Sequence, residues 1–367
     1  MKSSKAPTQQ PGAVTGASGA VEQCVSSHLK TKTMKVQDGF TETAAATILG
    51  KRSFDEDAML VAAPLPGRPG SRLKALFDGH GGYIVSRKCS VLAPTFYGRM
   101  QEFSANAFAK ASFALDAALR SDPDVPIGPG STGIIAVMEA IDPGIPEYML
   151  HVANIGDSRL MVLHEDGTFT PMSVDQKPSD PLEMSRVRRA GGSVIRTAMA
   201  VWRIDGRLAL SRSFGDFRMK NRSDLLPSQQ KVVALPHSRT IKVKPGDILV
   251  FACDGVFEAQ GMTWKFVANY VAMQLQASIG PPSATGGDLE ETATRLVTTA
   301  YLMGSWDNIS AMIVKVLPTA LPSTVVTAAE TDVLGTRTER PTMMESEATL
   351  ERSGAWMTDL GLYATLY

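Results

Sequence analysis

The chain has 367 residues, and its composition, 44% hydrophobic and 20% charged, is typical of a globular protein with a substantial core. The 37 Lys and Arg residues balance 37 Asp and Glu residues, which excludes a global electrostatic preference for nucleic acid or an anionic membrane. The three cysteines, Cys24, Cys89 and Cys253, are too few and too far apart for a disulfide framework, and no apolar stretch reaches the roughly 20 residues that span a bilayer.

The first predicted elements follow a tail, residues 1–35, that is rich in Ser, Ala, Gly, Pro, Gln and Thr. The short apolar run at 73–77 predicts a buried strand. Residues 83–121 carry apolar side chains at helical spacing with a break near Pro94, which predicts two helices. The apolar segment 131–141 predicts another strand.

The middle of the chain combines apolar runs with turn residues. Segment 147–173 predicts an antiparallel meander, with turns at 155–158 and 165–167. The sequence Asp180-Pro-Leu-Glu183 has the pattern of a helix start, with Asp as the cap, Pro at the first position and Glu three residues after the cap. Segment 203–212 predicts a further strand.

The last predicted elements are a strand in 242–252, amphipathic helices at 264–276 and 290–303, and a strand at 309–316. A C-terminal extension, 318–367, is again rich in Thr, Ala, Glu and Ser. Helical pairs separate groups of consecutive strands in this order. That arrangement favours antiparallel sheets with helices packed outside over a doubly wound parallel sheet.

Carboxylates stand beside many of these predicted strands, at Asp57, Asp78, Asp157, Asp254 and Asp307. A carboxylate at the end of a buried strand costs free energy unless something compensates it. Several of them, far apart in sequence, indicate one shared compensator, namely bound metal ions. Oxygen ligands favour Mg²⁺ or Mn²⁺ over zinc or copper, and the five histidines show no zinc-ligand spacing.

Residues near these carboxylates are suited to phosphate chemistry. Two metal ions bridged by one carboxylate would activate a water molecule for attack on phosphorus. Arg52 stands close to Glu56 and suits bidentate contact with phosphate oxygens, and His80 can act as a general acid near neutral pH. No cysteine is followed by arginine at the offset that a cysteine phosphatase requires, so the cysteines are excluded as nucleophiles.

The motifs together resemble the type 2C, metal-dependent (PPM) protein serine/threonine phosphatases. Their order and density carry the resemblance, which covers residues 37–317. The matching segments are Arg52-Ser-Phe-Asp-Glu56-Asp57-Ala58, Asp78-Gly-His-Gly-Gly82, Gly130-Ser-Thr132, Ala153-Asn-Ile-Gly-Asp157-Ser-Arg159, Asp175-Gln-Lys-Pro178, Gly215-Asp216, Ala252-Cys-Asp254-Gly255 and Gly304-Ser-Trp-Asp307-Asn308.

The resemblance implies an α+β fold, a four-layer αββα sandwich. Two mostly antiparallel sheets would pack face to face, with helices on both outer faces. The phosphatase domain would span residues 36–317, between the N-terminal tail 1–35 and the extension 318–367. Residues 178–208 would form a variable flap beside the cleft, a surface that could select substrates.

The same resemblance implies roles for individual residues. Asp78 would bridge two Mg²⁺ or Mn²⁺ ions, Arg52 would bind the substrate phosphate, and His80 would protonate the leaving serine or threonine oxygen. A third ion would bind weakly beside Asp157. The residues implied as metal ligands or their neighbours are Glu56, Asp57, Asp78, the carbonyl of Gly79, Asp254 and Asp307, with Asp157 and Glu258 at the third site.

The sequence departs from the family pattern at three minor positions. Glu258 stands where the family usually has Asp, which places the geometry of a third metal site in question. Gln176 replaces a usual His, and Met59 replaces a frequent His or Tyr. Asp216, which follows the flap, is interpreted as a structural residue, and Cys253 as a buried thiol.

Two alternatives to a metal-dependent protein phosphatase stay open at this stage. A silent binding module could use the same fold, although such a module would be expected to lack the metal carboxylates. Hydrolysis of a small phosphorylated metabolite would use the same chemistry in a different cleft. The expected partner is a protein phosphorylated on Ser or Thr, with no nucleic acid, no membrane span and a monomeric state, inside the cell in the cytoplasm or nucleus.

Overall fold

The computed structural model describes residues 30–142, 145–276, 288–318, 324–331, 337–341 and 364–366. Most of the expected N-terminal tail, residues 1–29, lies outside this range, and so does most of the C-terminal extension. The first strand begins at Thr31, before the expected domain boundary at residue 36. Within the described ranges, no helix is long and apolar enough to cross a membrane.

Among the described residues, the strands lie in two large sheets and two small ones. The first ten strands in chain order are β1 (Thr31–Asp38), β2 (Thr41–Ile48), β3 (Ala58–Leu65), β4 (Arg68–Phe77), β5 (Gly79–His80), β6 (Gly130–Ser131), β7 (Gly133–Asp142), β8 (Ile145–Ile155), β9 (Arg159–Leu163) and β10 (Phe169–Pro171). The remaining strands are β11 (Val194–Arg196), β12 (Trp202–Ile204), β13 (Phe214–Gly215), β14 (His237–Val243), β15 (Ile248–Ala252), β16 (Ile309–Val316), β17 (Thr324–Thr331), β18 (Arg337–Pro341) and β19 (Ala364–Leu366).

The helices lie between groups of strands, as the order of predicted elements indicated. They are α1 (Ile84–Gly98), α2 (Ala105–Ser121), α3 (Pro181–Arg189), the single turn α4 (Asp254–Phe257), α5 (Trp264–Gln276) and α6 (Leu289–Leu302). Two short 3₁₀ helices span Phe217–Met219 and Pro227–Gln229.

The sheet topology confirms the predicted fold class. One sheet has the strand order β10-β9-β15-β16-β2-β1-β17-β18, and the other has the order β14-β8-β7-β4-β3-β19. Every pairing between the named strands of the described ranges is antiparallel. Strands β17 and β19 of the C-terminal extension pair with β1 and β3, so parts of the extension join both sheets.

Three apolar clusters give the molecule its layers. The first cluster lies between the two sheets, the second between the six-stranded sheet and α1 and α2, and the third between the eight-stranded sheet and α5 and α6. Strand β2 shows the alternation that this layering needs: Ala45 faces the other sheet, whereas Ala44 and Ala46 face the helices. A strand buried on both faces reads as a continuous apolar run, which is how 73–77 was recognised, whereas 309–316 was predicted from its alternation.

Several predicted elements agree closely with the structure. The helix α5 and the strand β16 have the predicted bounds. The meander predicted at 147–173 is correct only for β9 and β10, which pair with each other, because β8 lies in the other sheet. The side chain of Asp180 accepts hydrogen bonds from the backbone N–H groups of Leu182 and Glu183 at the start of α3, as the capping pattern predicted.

Two local predictions were wrong. Pro94 does not break the helix; it lies buried inside α1, and the two helices are separated instead at residues 99–104, where Ser104 caps α2. Packing of α1 against the second apolar cluster offsets the lost backbone hydrogen bond. The segment 203–212 is not one strand, because Asp205 and Gly206 adopt left-handed backbone conformations, with φ of 49° and 70°, and turn the chain after β12.

Candidate metal centre

The strand ends bring the predicted carboxylates to one edge of the sandwich. In the six-stranded sheet Ala58 pairs with Phe77, so Asp57 and Asp78, the next residues, stand side by side. In the eight-stranded sheet Asp254 follows β15, and Asp307 lies just before its neighbour β16. Asp157 lies in the turn between β8 and β9, which belong to different sheets.

A hydrogen bond links the two halves of this edge. The hydroxyl of Ser310, on β16, donates to Oδ2 of Asp57 over 2.6 Å, and both residues are buried. Ser310 belongs to the eight-stranded sheet, whereas Asp57 directly precedes β3 of the six-stranded sheet. This contact holds the carboxylates of the two sheets close together.

The carboxylates perturb one another because they share a desolvated region. Burial, followed by repulsion from Asp254, Asp57, Asp157 and Asp307, raises the pKa of Asp78 well above its usual value. Burial and the charges of Asp157 and Asp307 raise the pKa of Asp254 to about 7. Burial and neighbouring carboxylates likewise raise the pKa of Asp57 well above its usual value, and burial raises that of Asp307 although Arg52 opposes the shift.

Asp78 and Asp254 differ from Asp57, Asp157 and Asp307 in what they contact. Neither side chain accepts a hydrogen bond from another residue in the part of the chain that the structure describes, and both are half-buried with oxygens that solvent reaches. Uncompensated carboxylates in a partly desolvated cleft are costly. A divalent cation bound by oxygen ligands is the group that would compensate them best.

Two of the other carboxylates pair with a lysine or an arginine side chain of the protein. Lys177 Nζ binds Oδ2 of Asp157, and Arg52 Nη2 donates to Oδ2 of Asp307 over 2.6 Å. As these side chains stand, no three His, Cys, Asp or Glu residues of the described ranges converge closely enough to hold an ion. The donor set therefore has the right chemistry for a hard cation, but Asp307 is turned toward Arg52.

Asn308 ties together the two loops that carry Arg52 and Asp307. Its amide nitrogen Nδ2 donates to the carbonyls of Leu49 and Phe54, each over 3.0 Å, and its Oδ1 accepts from the backbone N–H of Glu56 over 3.0 Å. This network places the Arg52 loop directly against the Asp307 loop.

Close backbone packing explains the glycine after Asp78. Gly79 is buried, and a Cβ there would overlap the carbonyl oxygen of Glu56 and crowd the hydroxyl of Ser86. The same Ser86 hydroxyl donates to the Glu56 carbonyl over 2.5 Å. Glu56 and Gly79 are thus held next to each other, as the sequence interpretation of both as metal-site residues requires.

His80 has a partner that the sequence interpretation missed. Its Nε2 lies 2.8 Å from Oδ2 of Asp216, which is buried and also accepts a 2.5 Å hydrogen bond from the Ser213 hydroxyl. Burial lowers the pKa of His80, but the carboxylate of Asp216 raises it more, and the net pKa lies above the usual value. The Gly215-Asp216 motif was visible in the sequence, but its 136-residue separation from His80 concealed the pairing.

The three departures from the family pattern have clear structural settings. Gln176 accepts from the backbone N–H of Gly156 over 2.6 Å and donates to Oδ1 of Asn154 over 2.8 Å, so it braces the turn that carries Asp157. Met59 is fully buried between the sheets. Glu258 Oε1 accepts from the Ser305 hydroxyl and the Trp306 N–H, each over 3.0 Å, and so supports the turn before Asp307.

The cysteine interpretation also holds for the described thiols. Cys89 and Cys253 are free and fully buried, and burial raises the pKa of both thiols well above the usual value. A protonated, inaccessible thiol is a poor nucleophile. Cys24 lies outside the described residues.

The chain is similar in sequence to known proteins of one family. The family model described as Protein phosphatase 2C matches residues 41–309. A probable protein phosphatase 2C of Caenorhabditis elegans is 32% identical over 286 residues, which cover 76% of this chain and 75% of that protein. Protein phosphatase 2C homolog 2 of Schizosaccharomyces pombe is 34% identical over 198 residues, 52% of this chain and 50% of its own length.

Solved structures extend the similarity to three dimensions. The crystal structure of a phosphatase from a pathogenic strain of Toxoplasma gondii superposes with a TM-score of 0.73 at 36% sequence identity. The superposition covers 82% of this chain and 99% of the Toxoplasma gondii chain.

Proposed function

The chain belongs to the protein phosphatase 2C family, and from that premise we propose that it removes phosphate from phosphoserine and phosphothreonine of proteins in a reaction that depends on Mg²⁺ or Mn²⁺. The proposed catalytic domain is residues 36–317, with the flap at 178–208. The observation that carries the proposal is the pair Asp78 and Asp254, two half-buried carboxylates without a donor in the described structure, set among three further carboxylates.

The residues that would hold two ions are those at the edge of the sandwich. Asp78, the Gly79 carbonyl, Glu56, Asp254 and Asp307 would hold these ions. Asp57 would stay nearby in its hydrogen bond with Ser310. The bound ions would supply an activated water molecule for attack on phosphorus. Asp157 and Glu258 are proposed for a third, weaker site.

Arg52 is proposed to bind the substrate phosphate. Its side chain is 51% exposed, so an incoming phosphate can reach the guanidinium, which pairs with Asp307 in this structure. A phosphate dianion offers bidentate contacts that would replace this single carboxylate contact. Release of Asp307 from Arg52 would leave its carboxylate available to an ion, so the two events are proposed to favour each other.

His80 is proposed as the general acid. An alkoxide of serine or threonine is a poor leaving group, so protonation of its oxygen during P–O cleavage lowers the barrier. His80 lies two residues from Asp78 in the chain, and its imidazole is only half-buried, which leaves it accessible to a bound phosphopeptide.

A silent binding role is the less favoured alternative. A fold kept only for binding has no need for five mutually repelling carboxylates, whose burial costs free energy. Hydrolysis of a small phosphorylated metabolite shares the chemistry and would be recognised by the choice of substrate.

Phosphate release from a phosphothreonine peptide tests the proposal directly. We expect turnover with Mn²⁺ or Mg²⁺ and none with EDTA. Turnover of phosphorylated metabolites but not of any phosphopeptide would shift the assignment to the metabolite alternative. Absence of turnover with folded, Mn²⁺-loaded protein would overturn the proposal.

A further inference from the structure

We propose that Asp216 is a positioning residue for His80: its carboxylate binds Nε2 of the imidazole and so reserves Nδ1 for the leaving oxygen of the substrate. The inference rests on the proposed phosphatase function. Asp216 itself would not touch the substrate, since its side chain is only 7% exposed.

The hydrogen bonds of the imidazole leave one nitrogen available. Nε2 is engaged by Asp216 over 2.8 Å. Nδ1 has no hydrogen-bond partner among the described residues and is not a buried atom, so solvent or a substrate can reach it. A ring fixed at one nitrogen presents the other in a defined direction.

A small three-stranded sheet brings the two residues together. In this sheet, with the order β13-β6-β5, Gly130 of β6 pairs with His80 on one side and with Gly215 on the other. Asp216 directly follows Gly215, so the strand pairing itself sets the distance between carboxylate and imidazole.

Glycine at position 130 is what leaves space for the contact. A Cβ at Gly130 would overlap both Oδ2 of Asp216 and Nε2 of His80. The φ of Gly130 does not lie in the left-handed region, so backbone conformation does not require glycine there. Glycine is needed there because a side chain would occupy the space between Asp216 and His80.

Asp216 is itself firmly held. Its backbone N–H donates to the carbonyl of Pro129 over 2.8 Å, and its Oδ2 accepts from the Ser213 hydroxyl over 2.5 Å. Its φ of 51° is left-handed, which is uncommon for a residue other than glycine and costs conformational energy. A rigid carboxylate is what positioning of a general acid requires.

In this arrangement the proton passes from His80 to the leaving oxygen. As the P–O bond to the leaving oxygen breaks, its electron pair goes to that oxygen, which takes the proton from Nδ1 of the protonated imidazole. His80 is then neutral, with the Nε2–H still donated to Asp216. Water returns a proton to Nδ1 before the next turnover.

The test compares two leaving groups with the Asp216→Asn variant. Threonine oxygen needs a proton as it leaves, whereas the p-nitrophenolate ion leaves without one. With Mn²⁺ present, we expect Asp216→Asn to lower kcat on a phosphothreonine peptide about 10- to 100-fold, with KM and the rate on p-nitrophenyl phosphate changed less than about threefold.

Three further variants separate positioning from a structural role. The double variant with His80→Ala should be no slower on the peptide than His80→Ala alone, because Asp216 acts only through His80. Gly130→Ala, which wedges the pair apart, should reproduce the loss selective for the peptide even if Asp216→Asn does not fold. Asp166→Asn is the matched control, since it makes the same change at an exposed turn carboxylate away from the site and should leave the ratio of the two rates unchanged.

The outcomes test the positioning role of Asp216 separately from the proposed phosphatase function. Equal loss on both substrates, or effects that multiply in the double variant, would assign Asp216 a structural role and overturn the inference. A wild-type protein inactive on both substrates would instead overturn the proposed function.

Discussion

Arg52 and Asp307 form an ion pair across the mouth of the candidate site, with 2.6 Å between Nη2 and Oδ2. The sequence interpretation gave these residues different tasks, phosphate binding for Arg52 and metal binding for Asp307. In the ion pair, Asp307 occupies the guanidinium that the phosphate would contact, and Arg52 occupies the carboxylate that the metal ion would contact. If Arg52 binds phosphate and Asp307 binds metal as proposed, the two binding events are coupled through this pair.

The coupling predicts that Arg52→Ala affects Mn²⁺ affinity and the turnover of substrate in opposite directions. The variant should bind Mn²⁺ at least as tightly as the wild type, because Asp307 loses its competing partner. Turnover of a phosphothreonine peptide should fall at least about 10-fold, as expected when a charge-assisted phosphate contact is lost. Calorimetric titration with Mn²⁺ and steady-state kinetics measure the two effects. A parallel loss of Mn²⁺ affinity would contradict the coupling.

His80→Ala should lower kcat much more than it raises KM. General acid catalysis contributes typically 10²- to 10⁴-fold, and the effect belongs to the transition state, so we expect a loss of about that size in kcat. Steady-state kinetics on a phosphothreonine peptide give both constants. His151→Ala serves as a control, because that histidine lies on β8 in contact with Glu139 rather than with the site. A change confined to KM would exclude His80 as the acid.

Gly79→Ala should destabilise the site by overpacking. The added Cβ would overlap the Glu56 carbonyl, which is backbone and cannot turn aside. Overpacking of this kind costs about 1–3 kcal/mol, and urea unfolding of the two proteins measures it. Gly70→Ala is the matched control, because nothing lies near the added Cβ and the backbone there is not left-handed. Equal stabilities of the Gly79 and Gly70 variants would contradict the packing argument.

We expect Glu183, on α3, to make an acid-sensitive contribution to the stability of the fold. Burial raises its pKa, but Arg212 and Arg186 lower it more, so the folded pKa lies below the ordinary 4.5. The folded state then binds fewer protons than the unfolded state between these two pKa values. The stabilisation is complete above about pH 4.5 and disappears as the pH falls through the folded pKa.

Glu183→Gln measures this contribution. Removal of the charge leaves two arginines of a partly buried network without their partner, and we expect a loss of about 1–3 kcal/mol at pH 7. Urea unfolding across the pH range should show the difference between wild type and variant shrink below pH 4.5. A difference that stays constant at low pH would mean that the charge of Glu183 does not stabilise the fold.

The fold was largely predictable because its signals are local or periodic. The apolar run that became β4, the alternation that became β16 and the helical spacing that became α5 reflect layers buried on defined faces. Pro94 misled because tertiary packing tolerated a proline inside α1. The segment after Trp202 misled because two left-handed residues turn the chain at a point where the apolar pattern continues.

The candidate site was predictable in its residues but not in its contacts. Short motifs single out Asp78, His80 and Asp254, and the structure places all three at or just after strand ends. Pairings such as that of His80 with Asp216 depend on strand register across 136 positions, which no local pattern encodes. The same is true of Arg52 and Asp307, which are 255 positions apart.

The central claim is that Asp78 and Asp254 hold the metal ions used in phosphate hydrolysis, and Asp254→Ala tests it most directly. Mn²⁺ binding by calorimetry and phosphate release from a phosphothreonine peptide are measured on the same preparation. Asp166→Ala, which alters an exposed turn carboxylate away from the site, is the control. The account predicts that Asp254→Ala stays folded, loses high-affinity Mn²⁺ binding and loses turnover, while Asp166→Ala keeps both. Full turnover by the folded Asp254→Ala protein would contradict it.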